Sequence, residues 1–331
     1  MKKALIVGID HYDLGQSLTG CVNDAVEIAL LLATNEDGSP NFSVRTVTSD
    51  KIRVTSSALQ GEIEDLFSGN ADTVLFYFAG HGILNQTTDA GFIVSQDGKK
   101  GAWGFPLNSL LQLANKEGSR IRSTVIILDS CNSGYMGEVS GLGNNGQVSV
   151  VGNGVTILTA CHREEVADER NGHGLFTSIL IDGLRGSSSD ICGNITPASI
   201  YSHVDQILGP WEQRPIYKAN VETFIVLRRV SPKIPLEFLR HLPNVFPDPA
   251  YIYQLNPSFE PERGEEADRL QHVPIIEKNV QLYRKLQACN RHGLVVPVNQ
   301  PHMWHAAVFS TGCKLTALGV HYRKLAEMRR I

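Results

Sequence analysis

Along the first 230 residues, short runs that are apolar at nearly every position recur at Ala4 to Ile9, Thr73 to Phe78, Thr124 to Leu128, Val155 to Thr159 and Thr223 to Leu227. A strand with one wet face alternates apolar and polar residues, whereas a strand covered on both faces is apolar throughout. These runs therefore predict strands of a mostly parallel sheet. Between them, apolar residues return at helical spacing over Asn23 to Ala33, Ser57 to Leu66, Leu175 to Leu184 and Ile200 to Leu208. Strands alternating with helices predict an α/β/α sandwich. In such sheets reactive side chains collect on the loops beyond the carboxyl ends of the strands, where backbone N–H groups and helix N-termini converge.

The pattern changes near residue 231. Ten of the fifteen prolines fall between Pro232 and Pro301, starting with Ser231-Pro-Lys-Ile-Pro. A domain boundary is expected there, giving residues 1–230 and a smaller, mainly helical domain over 231–331. Val280 to Asn290 and Leu315 to Ile331 read as its amphipathic helices. Residues 231–331 hold thirteen Lys and Arg against nine Asp and Glu, a net of +4, so residues 1–230 carry −8 of the chain total of −4. The stretch from Gly137 to Gln147 is rich in glycine and asparagine and reads as a loop.

Composition narrows the class of partner. With 42% hydrophobic and 19% charged residues the chain is ordinary for a globular protein, and its slight acidity argues against nucleic acid. The six cysteines stand far apart, without the spacing of a disulfide framework or a CxxC metal site. They are expected to be reduced thiols in a cytoplasmic protein. The opening Met-Lys-Lys-Ala-Leu-Ile-Val-Gly reaches Gly8 and Asp10 too soon for a secretory h-region, and no run approaches the ~20 apolar residues of a membrane span.

The chemistry lies at two strand ends. Thr73-Val-Leu-Phe-Tyr-Phe leads into Ala79-Gly-His81-Gly82, and Thr124-Val-Ile-Ile-Leu leads into Asp129-Ser-Cys131-Asn-Ser-Gly. A thiol is mostly protonated at neutral pH and becomes a nucleophile only beside an imidazole or a helix N-terminus. His81 offers the first. Glycines flanking His81 let the backbone approach a substrate carbonyl, and the N–H groups of Gly82 and Cys131 are the expected oxyanion hole. Those parts perform acyl transfer by a Cys131/His81 dyad. The single glycine of Ala4 to Asp10 is no G-x-G-x-x-G, which argues against nucleotide binding.

With these pieces in view the sequence resembles the caspases, metacaspases and bacterial caspase-like peptidases. The resemblance rests on Ala4-Leu-Ile-Val-Gly-Ile-Asp, Leu18-Thr-Gly-Cys-Val-Asn-Asp, Phe78-Ala-Gly-His-Gly, Leu128-Asp-Ser-Cys-Asn-Ser-Gly, His173-Gly-Leu-Phe-Thr and Gln213-Arg-Pro, in family order across residues 1–230. It implies a caspase-like sandwich, a cysteine endopeptidase and protein substrates. Caspases carry glutamine two residues before the nucleophile, whereas metacaspases carry aspartate and accept arginine or lysine at P1. Here that residue is Asp129. Metacaspases also line the S1 pocket with the cysteine and aspartate of a segment matching Gly20-Cys21-Val-Asn-Asp24. Two carboxylates repel an acidic P1 side chain and pair a guanidinium, so Asp129, Asp24 and Cys21 are the expected S1 residues and cleavage after Arg, then Lys, is expected. Ala79 stands where metacaspases often have serine.

Other readings of the same residues remain open. Asp129 also suits a turn or helix cap, Asp24 an N-cap, and Cys21 a core position. Cys161 and His162 are adjacent, and adjacent side chains leaving a strand point apart. Cys289, His292, His302, His305, Cys313 and His321 fit no closed zinc spacing. No cofactor is required for the dyad; calcium, which many metacaspases bind, has Glu138 and Asp97 as candidate ligands. No Lys or Arg lies between Cys131 and His162, so an enzyme with basic P1 specificity would not cut its own linker there. Activation is then expected from a partner or ligand acting through residues 231–331. The resemblance further suggests a role in cell death or antiphage defence. A caspase-fold scaffold acting through its C-terminal domain is the alternative.

Overall fold

The computed structural model describes residues 1–85, 90–116, 120–130, 138–139, 148–149, 151–160, 169–170, 173–209 and 215–331. The chain divides into two compact units. One comprises Met1–Ser189 with Asn194–Val230; the other comprises Asp190–Gly193 with Ser231–Ile331.

The first unit is built on β1 (Lys2–Gly8), β2 (Ser43–Thr48), β3 (Ala71–Ala79), β7 (Ile121–Asp129), β10 (Val155–Thr159) and β14 (Ile216–Asn220), ordered β14-β10-β7-β3-β1-β2. All neighbours run parallel except β14, which is antiparallel to β10. A meander of β4 (Gly82–Asn85), β5 (Ala90–Lys99) and β6 (Ala102–Pro106) follows β3. Four short ladder strands beyond β7 are β8 (Glu138–Val139) with β9 (Val148–Ser149), and β11 (Glu169–Arg170) with β12 (His173–Gly174). Another pair joins β13 (Asn194–Ile195) to β15 (Arg228–Arg229).

Strand pleating splits the apolar runs between two cores. Leu75 and Tyr77 of β3, with Val125 and Ile127 of β7, face α1 (Cys21–Ala33), α4 (Leu175–Asp182) and α5 (Pro197–Leu208). Val74, Phe76 and Phe78, with Ile126 and Leu128, face α2 (Ser56–Leu66) and α3 (Leu107–Ala114). This is the expected mostly parallel α/β/α sandwich. One strand is corrected: Thr223–Leu227 is irregular, and the sixth strand is Ile216–Asn220. Ile225 and Leu227 are apolar because they fill the α1/α4/α5 core from a segment without a ladder, while Phe224 is 73% exposed.

The second unit places α6 (Leu236–Val245), α7 (Glu277–Arg291), α8 (Met303–Val308) and α9 (Ala317–Glu327) with a three-stranded antiparallel sheet. Its strands are β16 (Ile252–Tyr253), β17 (Val295–Pro297) and β18 (Cys313–Leu315), in the order β16-β18-β17. Phe238, Leu242, Phe246, Tyr283, Leu286 and Ile191 belong to its core. Among the described residues, no helix is long and apolar enough to cross a membrane.

Candidate active site

Adjacent parallel strands β3 and β7 pair Ala79 with Asp129, and the Gly80 N–H reaches the Asp129 carbonyl at 3.3 Å. His81 follows Ala79 by two residues, as Cys131 follows Asp129. The register thus brings both loops off the same sheet edge, at the carboxyl ends where chemistry is expected. Cys131 itself lies outside the described residues, as do Cys161, His162 and Trp211.

His81 is held at three points. Its backbone N–H donates to the Tyr12 hydroxyl at 2.7 Å, and its carbonyl accepts from the Val94 N–H at 3.0 Å, which ties the loop to β5. The Tyr12 ring lies 4.6 Å from the imidazole, centroid to centroid. Burial pushes the Tyr12 phenol far up, so it stays protonated. A Cβ on Gly80 would come within 2.6 Å of that hydroxyl, so the loop has no room for a side chain before His81.

The third point fixes the tautomer. His81 Nε2 lies 2.6 Å from the Gln16 carbonyl oxygen. A carbonyl carries no proton, so Nε2–H is the donor, and in the neutral ring the lone pair belongs to Nδ1. Gln16 and Tyr12 were not singled out by sequence, since a backbone carbonyl has no residue signature.

The two acids lie on the opposite side of this edge's pleat from Phe78. Asp24 is in the first turn of α1 but does not cap it; the Asp10 carboxylate does, accepting the Cys21 N–H at 2.8 Å. Asp24 is 1% exposed, and its two oxygens are already engaged. Oδ1 meets His173 Nδ1 at 2.6 Å, and Oδ2 accepts the Gly174 N–H at 3.0 Å. Burial pushes its pKa up, opposed in part by those two hydrogen bonds. Asp129 is 7% exposed, and its Oδ2 accepts the Thr177 hydroxyl at 2.6 Å. Thr177 Oγ1 in turn meets the Tyr77 hydroxyl at 2.7 Å. Since Thr177 donates to the carboxylate, Tyr77 donates to Thr177. Burial first, then the nearby Asp129 and Asp24 charges, drive the Tyr77 phenol up.

Gly174 lies between the acids. A Cβ there would come 2.3 Å from Asp129 Oδ2 and 3.4 Å from Asp24 Oδ2. The segment His173–Thr177, entering α4, thus contacts both carboxylates. Cys21 is buried beside them in the α1/α4 core. Gly82 opens β4, opposite Ile93.

The candidate metal ligands are placed otherwise. Asp97 Oδ1 accepts the Ser56 N–H at 2.8 Å and the Ser95 hydroxyl at 2.7 Å, holding the N-terminal end of α2. Burial works to raise its pKa, but those hydrogen bonds prevail and lower it. The side chain of Glu138 lies outside the described residues. Cys289 and Cys313 are core residues of the second unit, their thiols pushed up to about 12, chiefly by burial. Trp304 donates its indole N–H to the Glu262 carbonyl at 2.7 Å. Among the described residues, no group of three or more His, Cys, Asp or Glu side chains is placed to hold a metal ion.

The comparisons bear on the same region. No curated protein matches the chain. Among solved structures, a Geobacter sulfurreducens protein is similar at 16% identity and a TM-score of 0.50, over 70% of this chain and 97% of its own. Caspase-1 from Spodoptera frugiperda is similar at 15% identity and a TM-score of 0.50, over 69% of this chain and 90% of its own. At such identities the likeness is one of fold. The caspase domain profile of peptidase family C14 matches residues 1–224, which contain both strand ends and both acids, and the chain therefore belongs to the caspase-domain family of cysteine peptidases.

Proposed function

We propose that the protein is a cysteine endopeptidase that cuts proteins after arginine, and second after lysine, with Cys131 as nucleophile and His81 as its proton-transfer partner. The observation that carries this reading is the Ala79–Asp129 register, which sets the residues two before His81 and two before Cys131 side by side at one edge of the sheet. The His81 tautomer supports it, because a ring whose Nε2–H is given to Gln16 keeps Nδ1 as its base.

The reaction follows. His81 Nδ1 takes the Cys131 proton, and the thiolate sulfur bonds to the scissile carbonyl carbon. The oxygen that becomes negative takes hydrogen bonds from the N–H groups of Gly82 and Cys131. As the C–N bond breaks, the imidazolium returns its proton to the leaving amine, leaving a thioester. Water then gives a proton to Nδ1 and its oxygen to the carbonyl carbon, the C–S bond breaks, and acid product leaves with the thiol restored. Asp129 and Asp24, with Cys21 as a neighbouring wall, are the S1 groups that pair a P1 cation. Residues 231–331 form the accessory domain through which a partner or ligand activates the enzyme, and the family resemblance points to regulated cell death or antiphage defence.

The test uses the full chain on peptides with P1 Arg, Lys or Asp. Wild type is expected to prefer Arg, and Cys131→Ala and His81→Ala to lose about 10³-fold or more in kcat/KM. Preference for P1 Asp removes the pocket reading; undiminished activity in Cys131→Ala removes the nucleophile.

A further inference from the structure

An arginine side chain that pairs with Asp24 must reach a carboxylate that is closed to solvent and whose two oxygens each already take one hydrogen bond. The Gly174 N–H takes Oδ2 from the backbone, and its Cα is held between the two acids, where not even a Cβ fits. The other occupant differs in kind. The His173 side chain is 34% exposed while that of Asp24 is only 2% exposed, and its Nδ1 holds Oδ1 at 2.6 Å. It spans from solvent to the buried carboxylate, as a P1 side chain would. Its ring also has what such a guest brings: an N–H donor and, when protonated, a positive charge. Asp129 differs again, since its Oδ2 is held by Thr177, which is fully buried and hydrogen-bonded to Tyr77.

We propose that His173 is a specificity-determining residue: its imidazole occupies Asp24 as an internal stand-in for the P1 cation, and a basic P1 side chain enters by displacing it. The inference rests on the basic-P1 reading above. Displacement costs the substrate one charge-assisted hydrogen bond and leaves Asp24 never bare, which keeps a buried carboxylate partnered between turnovers. It also sharpens selection. A neutral P1 side chain has no charge with which to replace the imidazole, so it meets a filled site.

Three full-length proteins decide the matter: wild type, His173→Ala and His173→Lys, assayed on P1-Arg and P1-citrulline peptides and inhibited with benzamidine, a free amidine cation. In His173→Ala, KM for P1-Arg and the benzamidine Ki are expected to fall about tenfold, the worth of one hydrogen bond to a charged group, with kcat within about twofold. In His173→Lys, a tethered ammonium replaces the imidazole and both constants rise. A purely structural role moves kcat and the melting temperature together and raises KM in both variants. Unchanged or raised KM and Ki in folded His173→Ala overturns the inference while wild-type cleavage after Arg leaves the basic-P1 reading standing. Where His173→Ala does not fold, His173→Lys is read with its melting temperature and kcat: constants that rise while both of those stay at wild-type values support the inference, and constants at or below wild type, or a rise that accompanies lowered kcat and melting temperature, overturn it. Wild type that prefers P1 Asp, or ignores Arg, overturns the reading and the inference together.

Discussion

Half-buried His81 and buried Asp24 each have one partner that decides what the imidazole or the carboxylate can do. For His81 the partner is a carbonyl, which accepts and never donates, so the ring is oriented before substrate arrives. Asp24 instead pairs with an imidazole side chain. Its raised pKa has a thermodynamic sign. An acid that binds its proton more tightly in the folded chain contributes its full stability below the unfolded value of about 3.9 and loses it as pH rises through the folded value. The denaturation midpoint of wild type relative to Asp24→Asn is therefore expected to fall as pH is raised from about 4 towards neutrality. A difference that rises across that range would contradict the burial that dominates at Asp24. Little of this was legible in the sequence. Asp24 was singled out as an S1 residue, but its partner His173 is 149 residues away, and no local pattern encodes such a contact.

Among the elements, β3 and β7 were readable because both faces are covered, and the pleat explains more than their existence. Tyr77 shares its face with Leu75, and Val125 and Ile127 share that face from β7, so Asp129, two residues past Ile127, looks towards α1 and α4. Thr177 lies on α4, and the Tyr77–Thr177–Asp129 chain fastens helix to sheet beneath the two acids. Thr177→Val removes the donor to Asp129 and the acceptor for Tyr77 without changing shape. It is expected to cost about 1 to 3 kcal/mol, read as a lower melting temperature. It should also weaken P1-Arg cleavage, and an unchanged melting temperature would deny the chain any fastening role. Edge elements were harder to read. Ser43–Thr48 has one neighbour and mixed polarity, and Ile216–Asn220 is half-buried and ends in exposed residues. The more apolar Thr223–Leu227 therefore drew the strand assignment, although only its Ile225 and Leu227 are buried and neither belongs to a ladder.

For the molecule as a whole, the absence of Lys and Arg between Cys131 and His162 has a direct consequence under basic P1 specificity. Active enzyme is expected to run as one 36.3 kDa band in a denaturing gel, with no fragment ending in that stretch. A fully active two-chain form cut there would require a P1 preference other than the one proposed. The connectivity of the two units reaches further. Asp190–Gly193 belongs to the second unit although the chain on both sides of it belongs to the first. Ile191 lies in the second unit's core, and its carbonyl accepts the Lys233 N–H at 3.0 Å. The second unit is thus stitched rather than appended. A nick after Val230 would not free it, because the severed piece would still lack a core residue carried by the other fragment, and signals of unfolding in one unit have three covalent crossings by which to reach the other.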